Sequence, residues 1–360
     1  MRAAVYRRFG GPEVVRIETV TRPEPRATEV LIRVRASTVS AADYRARSKD
    51  VPAGLALPSS LVLGIVKPRR PILGMDIAGV VEAVGARVTL FAPGDEVIAM
   101  LGSRFGGHAE YAVADESSAI TLKPASATFG EAASLVFGGI TARAFLNQAV
   151  FGGTTALTLL DKAPVEAGSK ILVNGASGAV GSAAVQLAKA AGAHVTAVCS
   201  AGNAPLVGSL GADLVLDYVA TDFAASNSRY DVVIDCVGNA PVSRVHPIVA
   251  FGGAVLLIAG DLGSLVTASR ASRKYGFSVV TTPGPYRAAD LAHLVTLFDA
   301  GHLRPVLDGT YPLDEITDAH RRVDSHRKRG AVVLDHGQPN DFPIGWLSTD
   351  AKNNARSSHH

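Results

Sequence analysis

The stretch KILVNGASGAVGSAAVQLAKAAGAHVTAVCS, residues 170 to 200, constrains the fold more than any other part of this 360-residue chain. An apolar run ends at Val173, and Ala176, Gly178 and Gly181 then fill the three small-residue positions of a G-x-G-x-x-G pattern ahead of a helix. Gly178 lets the backbone come close to a pyrophosphate, and Gly181 lets helix and strand pack together. The helix start supplies unsatisfied N–H donors and a partial positive charge. Ala176, Ser177, Gly178, Ala179, Val180 and Gly181 are therefore the candidate phosphate-binding residues. A glycine-rich turn without a ligand is the alternative, and the repeated strand and helix pattern around the loop argues against it.

That pattern continues through HVTAVCS, NAPLVGSLG, DLVLDY, YDVVIDCVG and AVLLIAG. Strands that are apolar throughout and alternate with amphipathic helices predict a doubly wound parallel sheet covered on both faces. The first third of the chain reads differently. AAVYR, VVRIETV, EVLIRVRAS, IAGVVEAVG, GDEVIAM and HAEYAVA alternate with turn residues, as a small antiparallel barrel requires.

A carboxylate at the end of the second strand of this domain would hold the ribose hydroxyls of NAD, but that position is Ser200. An uncharged Ser leaves room for a 2′-phosphate, although no Lys or Arg follows between Ser200 and Ser228. The reading favours NADP(H) without excluding NAD(H). Ser200 and Asn203 are candidate hydrogen-bond donors to the cofactor, and Tyr218 is a candidate to pack near the adenosine or, equally, a strand-end core residue. Val237 and Gly238, closing the strand YDVVIDCVG, complete the set.

Composition limits the alternatives. With 48% hydrophobic and 19% charged residues, and a net charge of +3, the chain reads as compact, without the basic stripe that nucleic acid requires. The cation clusters at Lys67–Arg70 and Arg321–Arg329 read as solvated faces, with an anion site near a cofactor phosphate as the second reading of the latter. Two cysteines, Cys199 and Cys236, are too few for a disulfide framework or a Cys-rich metal site. No signal peptide or 18-residue apolar span is evident, so a soluble cytoplasmic protein without a membrane partner is expected. From 337 to 360 the sequence turns polar and reads as a flexible tail.

ILGMDIAGVVEAVG, PGDEVIA, GGHAEYAVA, KPASATFGEAASL, NGASGAVGSAAVQLAK, LGADLVLDY and YDVVIDCVG stand in one order. In this the chain resembles a zinc-independent medium-chain dehydrogenase/reductase of the quinone oxidoreductase branch. The resemblance implies an α/β chain with a GroES-like β-barrel domain from residues 1–125 and 300–336, a Rossmann domain from 126–299, an active site in the cleft between them, and a homodimer. Zinc-dependent relatives carry a Cys in the segment matching TVSAADYRARS and a His-Glu pair where this chain has Met75 and Asp76, so no zinc is expected.

Metal-free chemistry of this kind is conjugate hydride delivery to a quinone or an enone, a small hydrophobic electrophile, with hydroxyl donors stabilising the oxyanion. The resemblance places Asn, Asp and an aromatic where this chain has Ser40, Asp43 and Tyr44. Ser40 is a candidate polar contact and Tyr44 a candidate acid. Asp43 reads first as a helix cap or an ion-pair partner of Arg47. The alternatives are an enoyl-thioester reductase and a dinucleotide-binding sensor or structural protein with little catalysis. The segment from Val51 to Arg70 is expected to rim the pocket.

Residues 136–149 and 150–163 repeat one phrase, VFGGITARAFLNQA and VFGGTTALTLLDKA, with 8 matches in 14 positions. The resemblance puts a Thr of this phrase near the nicotinamide. Thr141, attached to the helical lead-in TFGEAASL, is the candidate, and Thr155 the counter-candidate.

Overall fold

The structure, a computed structural model, describes residues 1–149 and 165–337. The second copy of the repeated phrase, with Thr155, and the expected tail beyond 337 lie outside the described residues.

The parallel sheet comprises β8 (Lys170–Asn174), β9 (His194–Cys199), β10 (Leu214–Asp217), β11 (Tyr230–Asp235), β12 (Val249–Leu257) and β13 (Ser278–Val280), ordered β10-β9-β8-β11-β12-β13 with every pairing parallel. Counted from β8, this is the Rossmann order 3-2-1-4-5-6, and the order reverses between β8 and β11. The central strands are buried because β-branched residues such as Ile171, Val173, Val232 and Val233 face helices on both sides. The helices are α4 (Ala179–Ala190), α5 (Ala204–Ser209), α6 (Val242–Val245), α7 (Leu262–Tyr275) and α8 (Ala288–Asp299).

A seven-stranded sheet draws on both ends of the chain. It comprises β3 (Glu29–Val39), β4 (Asp76–Val84), β5 (Glu96–Met100), β6 (Tyr111–Asp115), β7 (Ile120–Leu122), β14 (Leu307–Pro312) and β15 (Ala331–Asp335), ordered β14-β15-β3-β4-β5-β7 with β6 also on β3. The long β3 pairs antiparallel with β15, β4 and β6. A hairpin of β1 (Arg2–Tyr6) and β2 (Val15–Thr19) lies beside it, and the connections carry α1 (Ala41–Ser48), α2 (Ala56–Leu63) and α9 (Ile316–Asp324).

Helix α3 (Phe129–Leu146) joins the two halves. Its start is a capping box: the Glu131 amide donates to Thr128 Oγ1, and Glu131 Oε2 accepts from the Thr128 amide at 2.9 Å. Most of its residues are buried, since it packs against β3, β4 and β15 on one side and against α4 and α8 on the other. Gly138 and Gly139 make this possible. A Cβ on Gly138 would lie 2.4 Å from Ala179 O, and one on Gly139 would lie 2.7 Å from a Leu294 methyl.

Arg47 of α1 is fully buried, and its guanidinium meets both carboxylate oxygens of Asp324 at 2.6 Å and the Gly10 carbonyl at 2.7 Å. Of the two readings of Asp43, the cap is the one the structure has, in the capping box of α1, whereas the pair with Arg47 does not form because Arg47 reaches α9, where its Nη2 meets both oxygens of Asp324. Asp324→Ala leaves that guanidinium charged, buried and unpaired. It is expected to cost about 3–5 kcal/mol, measured as a lowered urea midpoint with unchanged slope.

Candidate active site

The phosphate loop follows β8 directly. Gly175 takes φ +80°, and a Cβ there would collide with Val237 at 2.7 Å, so the turn after β11 sits against the loop. Buried Asp235 builds that turn: its Oδ1 accepts from the amides of Val237 and Gly238 at 3.0 Å, and its Oδ2 from Ala240 at 2.9 Å. Gly178 caps α4, and a Cβ there would meet only Gly175 O, at 3.5 Å. At Gly181 the same test gives 2.2 Å to Gly175 O, so no side chain fits where the helix crosses the strand. The backbone N–H groups opening α4 thus face a crevice beyond the carboxyl ends of β8 and β11, with space kept over Gly178; these residues fit a dinucleotide pyrophosphate.

Two of the residues expected to meet the cofactor's ribose are also linked to the loop and to each other. Asn203 Nδ2 donates to Ser177 Oγ at 3.0 Å, and the Asn203 amide donates to the Ser200 carbonyl at 2.9 Å. The Tyr218 amide donates to Cys199 O, which holds Tyr218 at the same sheet edge with its ring largely exposed. It is not the core residue that one reading of the sequence allowed.

The other wall comes from the seven-stranded sheet. The Gly330 amide donates to the Ser177 carbonyl at 2.8 Å, fastening the turn before β15 to the phosphate loop. Lys328 Nζ donates to the Gly330 carbonyl at 2.6 Å, and burial draws its pKa down to about 8. Elsewhere in the basic cluster, Arg321 pairs with Asp318 and Arg322 with Asp308. Thr141 lies buried on α3, one turn beyond the Gly138 contact with α4, and its Oγ1 is 3.5 Å from the Tyr286 hydroxyl.

Ser40 and Tyr44 are differently engaged. Ser40 Oγ donates to Asp43 Oδ2 at 2.6 Å and accepts from the Asp43 amide, while Asp43 Oδ1 accepts from the Gly74 amide at 2.8 Å. Ser40 is thus the N-cap of α1 with its proton committed. The Tyr44 hydroxyl donates to the Asp50 carboxylate, and that bond, with burial, raises its pKa. The ring stands edge-on to His326. The Tyr44 amide donates to the Ser40 carbonyl at 3.1 Å as α1 begins, but among the described residues no hydrogen bond joins the Tyr44 hydroxyl to the side chain of Ser40 or Thr141.

Beneath the cleft lie groups whose burial the sequence did not disclose. Asp76 is inaccessible, accepts from the Thr38 amide and hydroxyl, and is pushed up to about 7 by burial, with nearby Asp43 adding to the shift and the Thr38 hydrogen bonds opposing it. His108 Nε2 is 3.0 Å from the Thr38 carbonyl, and its ring stands 5.9 Å from that of His320. Burial, then His108 and Arg47, holds His320 well below the usual histidine range; burial and His108 draw His336 down to about 3. A signal for Asp76 exists in hindsight: it is a lone carboxylate inside the apolar run GMDIAGVV. Among the described residues no group of three His, Cys, Asp or Glu is placed to hold a metal ion.

A family model described as alcohol dehydrogenase GroES-like domain matches residues 26–124, and one described as zinc-binding dehydrogenase matches residues 210–334. A protein named quinone-oxidoreductase QR1, chloroplastic, from Triphysaria versicolor is 34% identical over 349 residues, covering 92% of this chain and 98% of its own. The chain belongs to the quinone oxidoreductase-like branch of the medium-chain dehydrogenase/reductase superfamily. A protein named NADPH-dependent alkenal/one oxidoreductase, chloroplastic, from Arabidopsis thaliana is 30% identical and covers 93% of this chain and 79% of its own. The structure of the quinone oxidoreductase from Coxiella burnetii superposes with a TM-score of 0.78 at 26% identity, over 93% of this chain and 99% of that one.

This membership makes the chain an oxidoreductase with a GroES-like and a Rossmann-type domain, using NAD(P)H. It also corrects the expected compartment. The cytoplasmic placement rested on the lack of a leader signal, and relatives covering more than nine-tenths of this chain are named chloroplastic, so that placement does not stand.

The histidines set the response to acid. Because His320 and His336 stay neutral in the fold, the unfolded chain takes up protons that the folded chain refuses as pH drops below about 6.5. Stability therefore falls from that point toward pH 3, each group contributing a slope of up to about 1.4 kcal/mol per pH unit. Asp76 works the other way between about 7 and 4, since the folded chain holds a proton there that the unfolded chain lacks. His320→Leu removes one refused proton. Denaturant midpoints taken between pH 7 and pH 5 should fall less steeply for the variant than for the parent chain.

Proposed function

We propose that this chain is an NADPH-preferring, zinc-independent reductase that delivers hydride to a quinone or an activated alkene. The observation that carries the reading is the junction at Ser177. The phosphate loop there meets Gly330 of the opposite sheet, so the residues that would hold a dinucleotide lie where the two halves of the chain come together, the halves that α3 with Thr141 also joins. The names of the relatives, a quinone oxidoreductase and an alkenal/one oxidoreductase, support the acceptor class.

When bound, the reduced nicotinamide supplies the hydride. The chain's part is binding, orientation and charge stabilisation. The amides opening α4 would hold the pyrophosphate, Ser177 and the Asn203 bridged to it would meet the ribose, and uncharged Ser200 would leave space for a 2′-phosphate. Thr141 is the hydroxyl that donates to the acceptor oxygen, because its partner, Tyr286, sits at the long distance of 3.5 Å and leaves its proton available. Ser40 keeps α1 and Gly74 in place through Asp43, which makes it a positioning residue for the barrel wall. The proton that completes reduction is drawn from water. Zinc independence rests on the donor set: Met75 offers a weak thioether where an imidazole is needed, and the segment around Ser40 has no thiol.

Absorbance of reduced nicotinamide tests the reading. A small quinone and a simple enone should each oxidise NADPH faster than NADH, at a rate that a chelator leaves unchanged, and an enoyl thioester should be slower. Ser200→Asp is expected to move the preference toward NADH on the order of tenfold. Thr141→Val is expected to lower kcat by about 100-fold with little change in KM. NADPH that binds but is oxidised by none of these acceptors overturns the reading.

A further inference from the structure

Helix α2 is apolar along most of its length, and it turns most of its large aliphatic side chains to the outside. Its partly buried positions are Ser59, Ser60 and Leu63, while Leu57 (75% exposed), Leu61 and Val62 (63%) turn outward. The chain continues the apolar face past the helix end with Ile65 (67%) and Val66 (86%). A surface helix ordinarily sends its serines to water and its aliphatics to the core. Here five large aliphatic side chains within ten residues face out, which solitary exposed apolar residues do not explain.

The face does not end with α2. The Leu262 amide, opening α7, donates to the Ala53 carbonyl at 3.0 Å, and a Cβ on Gly54 would touch Leu262 at 2.7 Å. Leu265 and Val266, three and four residues on, share that side of α7 and are exposed. The apolar surface therefore runs from the barrel half onto the Rossmann half, along the rim of the crevice beyond the carboxyl end of β12.

Past Asp50 and the Asp261 cap that precede them, the two segments carry charge of one sign. Between Asp50 and Asp76 there is no acidic residue, and Lys67, Arg69 and Arg70 are exposed directly after Val66. Between Asp261 and Asp290 there is again none, and Arg270 and Arg273 project from the same side of α7 as Leu265 and Val266. An outward apolar helix edged by cations, in a chain of net charge only +3, matches the chemistry of an anionic lipid surface: aliphatic side chains enter the headgroup boundary while Lys and Arg meet the phosphates.

We propose that α2, the loop through Arg70 and the first turns of α7 form a peripheral docking face for an anionic lipid bilayer. This departs from the expectation that membranes play no part. It is compatible with the finding that no helix of the described residues is long and apolar enough to cross one. The face stands on surface chemistry alone and does not depend on which acceptor the cleft reduces.

Sedimentation of the full chain with vesicles of phosphatidylcholine, with or without phosphatidylglycerol, tests it, with no substrate present. Binding should require phosphatidylglycerol and weaken with salt. Arg69→Ala/Arg70→Ala should lower the apparent affinity on the order of tenfold, and Leu61→Glu/Val66→Glu should abolish binding. Unchanged melting temperature and NADPH affinity show that each variant is folded, since all four positions are exposed. Equal sedimentation of parent and variants, or none by the parent, overturns the proposal. So does concentration-dependent self-association that Leu61→Glu/Val66→Glu removes while vesicles bind nothing, which would make the face an interface between copies.

Discussion

Everything in the site depends on how closely α3 approaches its neighbours. The helix is wedged between the seven-stranded sheet and the helices α4 and α8, and the Gly138–Gly139 pair lets it press against the start of α4 and against Leu294 of α8. Larger residues there would push α3 outward, and with it Thr141 and the wall built on β3 and β4. The Thr128–Glu131 capping box fixes where the helix begins, so one local sequence signal and two missing side chains set the distance between cofactor loop and opposite wall.

The wall itself is built from polar groups that water cannot reach. Asp43 gathers the Ser40 amide and hydroxyl and the Gly74 amide, while Asp76 gathers the Thr38 amide and hydroxyl. His108 reaches the carbonyl of the same Thr38. A network of this kind holds backbone segments from β3, α1 and the approach to β4 in one arrangement, because each unmade bond would strand a desolvated group. Arg47 extends the arrangement to α9. The cost of such burial appears in the depressed histidines and the raised carboxyl of Asp76.

Much of the architecture was legible in the order of residues, for a physical reason. A parallel sheet needs apolar strands, and a phosphate loop needs small residues at fixed spacing; both are local patterns. Ser177 beside Asn203, and Val237 against Gly175, follow once the strand order is known. What could not be read are partnerships set by distant chain. Arg47 finds Asp324, 277 residues away, instead of Asp43 four positions before it, and Lys328 bonds the carbonyl of Gly330, the residue whose amide meets the phosphate loop. Ser40 and Thr141 looked alike as hydroxyls, and only their hydrogen-bond partners separate a cap from a candidate donor. The outward aliphatics of α2 were visible as an apolar run, whereas the direction they face was not.

The pairing of β3 with β15 imposes an order on synthesis. Val39 lies opposite Val332, so the end of β3 from Ala36 to Val39, past its pairing with β6, stays open on one side until nearly all of the described chain has been made. The parallel sheet between them needs no residue beyond Val280 and can close first. A nascent chain therefore carries a finished Rossmann unit next to a barrel with a bare, hydrogen-bond-hungry edge on β3. Closing that edge is a contact of nearly maximal sequence separation, which makes it the slow step of folding and the point at which a stalled or truncated chain is open to edge-to-edge aggregation.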